Sequence, residues 1–149
     1  MFVATGAAAQ APAPLRLPLD VSAAQAAAQL EAAGFRRRAA DPPYNERLPS
    51  GGTRRVAADP AVSTHTRVAG DVTESVFMRA GETGPAQLFY SAYGDSAGVH
   101  ARFAGVAGGV AGRSGDGRLV VPARPSRLTD GSYQFTIVFH RPRATPPVR

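Results

Sequence analysis

Apolar residues recur along this chain with two different periods, and the change from one to the other divides it. Ser22 and Gln25 stand at the S-x-x-Q spacing of a capping box, in which side chains satisfy two backbone donors at a helix start. Ala23 through Ala33 are nearly all strong helix formers. Gly34 then supplies the left-handed residue on which helices commonly end. Leu30 and the alanines near it form a narrow apolar face, with Phe35 as an anchor just past the end. Ahead of the helix, Leu15, Leu17 and Leu19 alternate with Arg16 and Pro18. That reads as an edge strand or an extended lead-in, because proline is tolerated only at sheet edges.

From Thr64 the character changes to β. Residues 72–79 (VTESVFMR) and 87–93 (QLFYSAY), joined by AGETGPA, predict a hairpin. Val99–Phe103 is a third candidate strand and 118–122 (RLVVP) a fourth. The clearest is Ser132–His140: Tyr133, Phe135, Ile137 and Phe139 fall on one face, and Gln134, Thr136, Val138 and His140 on the other. This is the alternation of a half-buried antiparallel strand, and Asp130-Gly131 marks the turn before it. In residues 98–112, Val99, Phe103, Val106 and Val110 have helical spacing, but Gly105, Gly108 and Gly109 lie among them. Each glycine costs a helix ~1 kcal/mol against alanine, so the expectation is a short strand followed by a glycine-rich loop. Residues 36–63 carry FRRR, DPPY, LPSGG and ADP and predict a long irregular loop. Residues 1–14 read as a disordered arm or signal-peptide remnant and 142–149 as a disordered tail. The fold class that results is α+β over 15–141: one N-terminal helix packed on an antiparallel sheet of about five strands, with the large residues of 132–140 against that helix. A small β-sandwich or roll with an appended helix is the alternative.

Composition narrows the chemistry. The chain has 149 residues, a length that buries ~70% of its unfolded surface as one domain. The hydrophobic content of 44% is largely alanine, so seven Phe and four Tyr must supply most of the large apolar area. The absence of cysteine excludes disulfides, thiolate metal sites and a cysteine nucleophile. The net charge is +6, and all 17 cations are arginine. A GC-rich genome accounts for that bias, while the sharper reading is bidentate recognition of phosphate or carboxylate. From Gly117 to Arg149 six arginines face a single acid, Asp130. No apolar run of ~18 residues is present to span a membrane. MFVATGAAAQ ends in small residues, and cleavage after Ala9 would satisfy the A-x-A rule through Ala7 and Ala9. Export to the periplasm or beyond is the expectation, with a flexible arm on a cytoplasmic protein as the alternative.

Gly94-Asp95-Ser96-Ala97-Gly98 matches G-x-S-x-G and follows a predicted strand. It resembles the nucleophile elbow of the α/β-hydrolases, in the GDSAG form of the hormone-sensitive-lipase-like esterases. The resemblance implies Ser96 as nucleophile, His140 as its base, and Asp116 or Asp130 orienting the imidazole. It covers five residues and the strand before them, and no HGGG-type oxyanion segment is present. Read from the residues alone, Gly, Asp and Ser are turn formers, so a hairpin turn is the main expectation here.

His65, His100 and His140 lack metal-ligand spacing, and no cofactor is expected. Arg36-Arg37-Arg38 and Arg54-Arg55, with Arg118, Arg124, Arg127, Arg141 and Arg143, are candidates for an anion-binding surface. Aromatic residues of the kind that interleave with cations in single-strand binders are missing from these runs. The expected function is a non-catalytic, exported, bacterial-type binding or structural module. Its partner is another protein or an anionic polymer. The alternatives are a small serine hydrolase using Ser96 and an anion- or nucleic-acid-binding protein using the C-terminal arginines. Deleting residues 1–14 is expected to leave the melting temperature within a few degrees of the full chain, because nothing core-like precedes Leu15.

Overall fold

The computed structural model describes residues 15–40, 42–110 and 117–142. The expected arm at 1–14 and most of the expected tail lie outside these residues. The elements run α1 (Ala23–Ala32), β1 (Arg36–Arg37), β2 (Tyr44–Arg47), β3 (Thr53–Val56), β4 (Val62–Ala69), β5 (Val72–Ala80), β6 (Pro85–Gly94), α2 (Ser96–Val110), β7 (Arg118–Val120), β8 (Ser126–Arg127) and β9 (Tyr133–His140). The architecture is α+β, as the periodicity indicates, with two helices and about seven strands in the main sheet instead of five. Its order is β1-β4-β5-β6-β9-β7, with β8 also paired to β9, and every pairing is antiparallel. A separate two-stranded hairpin, β2–β3, stands outside it.

Register sorts the side chains of the main sheet into two faces. On one, His65, Val76, Tyr90 and Ile137 line up across β4, β5, β6 and β9. Beside them run Arg67, Glu74, Ala92 and Phe135, and then Ser63, Met78, Leu88, Phe139 and Leu119. Both helices and the lead-in residues Leu15, Leu17 and Leu19 share this face's core. Helix α1 forms as expected: Ser22 Oγ accepts from Gln25 N at 3.2 Å, and Gln25 Oε1 accepts from Ser22 N at 3.1 Å. Ala26 and Leu30 are its buried residues, and Gly34 follows with φ 91°.

Three expectations are corrected. Residues 98–112 do not begin with a strand: Ser96–Val110 is helical. Asp95 caps it, its Oδ2 accepting from Gly98 N at 3.1 Å, and Val99 and Val106 are fully buried with Phe103 packed beside them. That burial outweighs the glycine cost. Gly98 has its own reason, since a Cβ there would lie 2.4 Å from Val72 Cγ2. Secondly, β9 keeps Phe135, Ile137 and Phe139 buried on one face, but the cover is α2, not α1: the Phe103 and Phe135 rings meet edge to face at 5.1 Å. Thirdly, 36–63 is not one irregular loop but contains β1, the β2–β3 hairpin and the start of β4.

A charged cluster sits inside this core. Glu74 is fully buried on β5 and receives Arg67 Nε at 2.8 Å and Arg67 Nη2 at 2.9 Å. Tyr90 Oη donates to it at 2.6 Å, and Arg102 of α2 approaches to 3.8 Å. Burial and the Glu74 carboxylate push the Tyr90 phenol well above its ordinary pKa, so it stays protonated as a donor. Arg67 Nη1 also donates to the carbonyl of Ala33 at 2.7 Å, at the C-terminal end of α1, and its guanidinium lies 4.5 Å from the Phe35 ring centre.

Two predictions follow from these buried groups. Glu74→Ala strands two arginines and a phenol in the interior, and is expected to cost about 3–5 kcal/mol in urea melts; Ser91→Ala on the opposite face is expected to cost under ~1 kcal/mol. His65 is fully buried, and neither ring nitrogen has a hydrogen-bond partner among the described residues. Burial lowers its pKa, Arg37 lowers it further, and Glu31 acts weakly against them. Below the ordinary value of 6.5 the unfolded chain binds a proton that the folded chain refuses, so stability falls as pH drops through this window. His65→Leu is expected to lose less stability than wild type between pH 7 and 5, measured by the same melts.

Candidate functional site

The GDSAG segment does lie at a strand-to-helix junction, between β6 and α2. Ser96 is exposed there as the first residue of α2. Its nearest imidazole is His100, one turn along, with Nδ1 3.4 Å from Ser96 Oγ. The same nitrogen lies 2.7 Å from the Ser96 carbonyl oxygen. A carbonyl only accepts, so this contact requires Nδ1 to carry the proton, and Nδ1 then has no lone pair left for the hydroxyl. His140 is at the other end of the sheet, facing Gln87, whereas Ser96 lies beyond Gly94. At ~3.3 Å per residue the two are about 23 Å apart. Asp130 closes the turn before β9: it accepts from Ser132 N at 2.9 Å and from Tyr93 Oη at 3.0 Å. Hydrogen bonds from the Ser132 side chain and backbone, then from Tyr93, hold its carboxyl below the usual range. Asp116 lies outside the described residues. The structure therefore does not bring Ser96, Asp130 and His140 together.

The C-terminal arginines are dispersed in the same way. Arg118 stands opposite His140 at one end of β9, and Arg127 opposite Tyr133 at the other, again about 23 Å away by strand rise. Arg124 is exposed on the connection between β7 and β8. Arg141 is a structural clamp: Nη2 donates to Leu19 O at 3.0 Å, Nη1 to Pro85 O at 3.3 Å, and its guanidinium lies 5.4 Å from the Phe139 ring centre. Arg143 lies outside the described residues.

Cationic side chains gather elsewhere. The β2–β3 hairpin is an arm whose strand residues are exposed or only half-buried on both sides. Residues 36–56 hold six arginines, Arg36, Arg37, Arg38, Arg47, Arg54 and Arg55, against Asp41 and Glu46. Glu46 pairs with Arg54 across the hairpin. At the base of the arm a cleft of about 190 Å³ opens between it and the β4 edge, lined by Arg37, Arg38, Tyr44, Asp59, Ser63 and Thr64 among others. Asp59 is engaged away from the cleft's arginines. The backbone N–H of Ala61 and the Arg79 guanidinium, at 2.6 Å, hold its carboxyl below the usual range.

Thr64 also begins a row across the sheet face that neither α1 nor α2 covers. In register it runs Thr64, Phe77, Phe89, Val138 and Val120, over β4, β5, β6, β9 and β7. The Phe77 and Phe89 rings meet edge to face at 5.6 Å, both half-buried. A hydroxyl row, Thr66, Ser75, Ser91 and Thr136, lies on one side, with Ser91 Oγ and Thr136 Oγ1 2.9 Å apart. Beyond it stand Val68 and Tyr93, 71% and 44% exposed. On the other side run Val62, Arg79, Gln87, His140 and Arg118. Among the described residues, no strand position on this face is Asp or Glu. The row is not legible in the sequence because its two phenylalanines fall one each on β5 and β6, whereas an arginine run is visible as a linear segment. The available signal was Phe77 and Phe89, which occupy the outward phase of strands whose inward phase is already apolar.

No helix among the described residues is long and apolar enough to cross a membrane. Compared with protein-family models, curated proteins and solved structures, the chain matches none of them. A serine-directed phosphonate is expected to leave Ser96 unlabelled, and activated esters are expected to give no burst of product, because the hydroxyl has no base beside it. Stoichiometric labelling abolished by Ser96→Ala, read by intact mass, would reverse that expectation.

Proposed function

We propose that this chain is a non-catalytic, exported, bacterial-type module that binds an anionic polymer. The arm, the cleft at its base and the bare sheet face act as one surface. The observation that carries this reading is continuity: Thr64 both lines the arginine-bearing cleft and starts the acid-free row that ends beside Arg118. The strands of the sheet face carry cations and no carboxylate, and the carboxylates of the arm and cleft, Glu46 and Asp59, are each paired with an arginine, so the surface as a whole attracts polyanions. The candidate cations therefore shift from the C-terminal run, of whose described members Arg118 alone stands on this face, to Arg36, Arg37, Arg38, Arg47 and Arg55. Export is supported by the A-x-A spacing of Ala7 and Ala9. The hydrolase reading is the weaker one because Ser96 lacks a proton acceptor, as described above.

Binding to labelled polyphosphate, heparin and oligothymidylate, followed by anisotropy over a range of salt, tests the proposal. Affinity for at least one polymer is expected to fall linearly in log–log form with salt, as counterion release requires. Substituting Arg37, Arg38 and Arg55 together by Ser is expected to weaken binding by about tenfold or more at low salt. The pair Arg124→Ser, Arg127→Ser is expected to change it less than threefold. Absence of salt-dependent binding to all three polymers would overturn the reading.

A further inference from the structure

Resting on the polyanion-binding reading above, we propose that the polymer is a single-stranded nucleic acid, its bases stacking along the Phe77–Phe89 row and its phosphates meeting the arginines at either end. Phosphate recognition alone would need only the arm. It leaves unexplained a solvent-facing row of Phe77, Phe89, Val138 and Val120 set between hydroxyls and cations. Exposed apolar surface that is continuous and rimmed by polar groups marks an interaction site. Three of the most exposed large apolar residues, Val68, Tyr93 and Val120, lie on this face.

Geometry selects among the polyanions. The row crosses five strands, about 19 Å at ~4.8 Å per step, a span that several nucleotides of an extended strand can follow. A single strand can turn base faces onto aromatic rings while its backbone follows a cationic path. A duplex keeps its base faces stacked inside and offers such a row only phosphates. The hydroxyls of Thr66, Ser75, Ser91 and Thr136 lie one residue row away, placed to exchange hydrogen bonds with base edges. Charge decides against a second copy as occupant. Arg36 and Arg118 stand at opposite edges of the face with no carboxylate on its strands, so two such faces bring like charges together.

The test is anisotropy of a labelled oligothymidylate of about a dozen nucleotides, with polyphosphate, heparin and a duplex of equal length as competitors, on the full chain. Phe77→Leu and Phe89→Leu keep apolar volume while removing the ring, and circular dichroism checks that each variant is folded. Oligothymidylate is expected to bind at least tenfold tighter than polyphosphate or duplex. Each leucine variant is expected to weaken oligothymidylate about tenfold and leave polyphosphate unchanged. Equal or tighter binding of polyphosphate, heparin or duplex, with the leucine variants silent, would overturn the nucleic-acid assignment while leaving the polyanion reading intact. Failure of every polymer to bind would overturn both.

Discussion

Glu74 is the group on which the arrangement of this domain turns. It is a fully buried carboxylate at an inward position of the central strand β5, and everything that satisfies it comes from a different element. Arg67 reaches it from β4 and simultaneously holds the Ala33 carbonyl at the end of α1; Tyr90 reaches it from β6; Arg102 reaches it from α2. Taking Glu74 away leaves the charges of Arg67 and Arg102 facing each other without their carboxylate in low dielectric. A buried ion pair is, however, weak evidence of net stabilisation, because well-packed apolar replacements of the whole set are often as stable. Its contribution here is positional: both helices are drawn to the same face of the sheet, α1 through the Ala33 carbonyl that Arg67 of β4 holds and α2 through its own Arg102, where the two arginines meet one carboxylate.

That placement has a consequence for the opposite face. With α1, α2 and the Leu15–Leu19 lead-in all committed to one side, no described element covers Phe77, Phe89 and Val138 on the other. An antiparallel sheet tolerates a solvated face when that face is polar. Here the polar rows are present but are interrupted by a central apolar one, and the cleft at the foot of the β2–β3 arm leads into it. The cleft borders the β4 strand from which the row runs, although the residues of arm, cleft and row are spread from Arg36 to Val138.

Signals confined to one element were legible in the sequence. The Ser22–Gln25 box and Gly34 bound α1 where the spacing predicts, and the alternation of Ser132–His140 is that of β9. The expectation of a strand and loop at 98–112 fails because propensity counts each glycine in isolation. The structure sets those costs against the Asp95 cap and the burial of Val99 and Val106, and packing wins. What depends on register was not legible. Glu74 interrupts the inward phase of VTESVFM, a visible anomaly, but its partners are seven and sixteen residues away and meet it only once β4, β5 and β6 are paired. The Ser96 motif was legible for the opposite reason, being local, and locality is what misleads: a hydroxyl on a strand-to-helix turn is common geometry, whereas the base must arrive from elsewhere, and His140 arrives at the far end of the sheet.

Amide and methyl chemical-shift mapping of the full chain, titrated with oligothymidylate at low salt, addresses the central claim most directly. The two sheet faces are interleaved in sequence but opposite in space, which makes the pattern unambiguous. The account predicts that the signals of Thr64, Phe77, Phe89, Val138 and Val120 move together with those of the cleft residues around Arg37 and Tyr44. Val76 and Ile137, immediate sequence neighbours of Phe77 and Val138 on the helix-covered face, should stay in place. Shifts centred instead on α1, on α2 or on the Arg124–Arg127 edge, with the Phe77–Phe89 row silent, would contradict it.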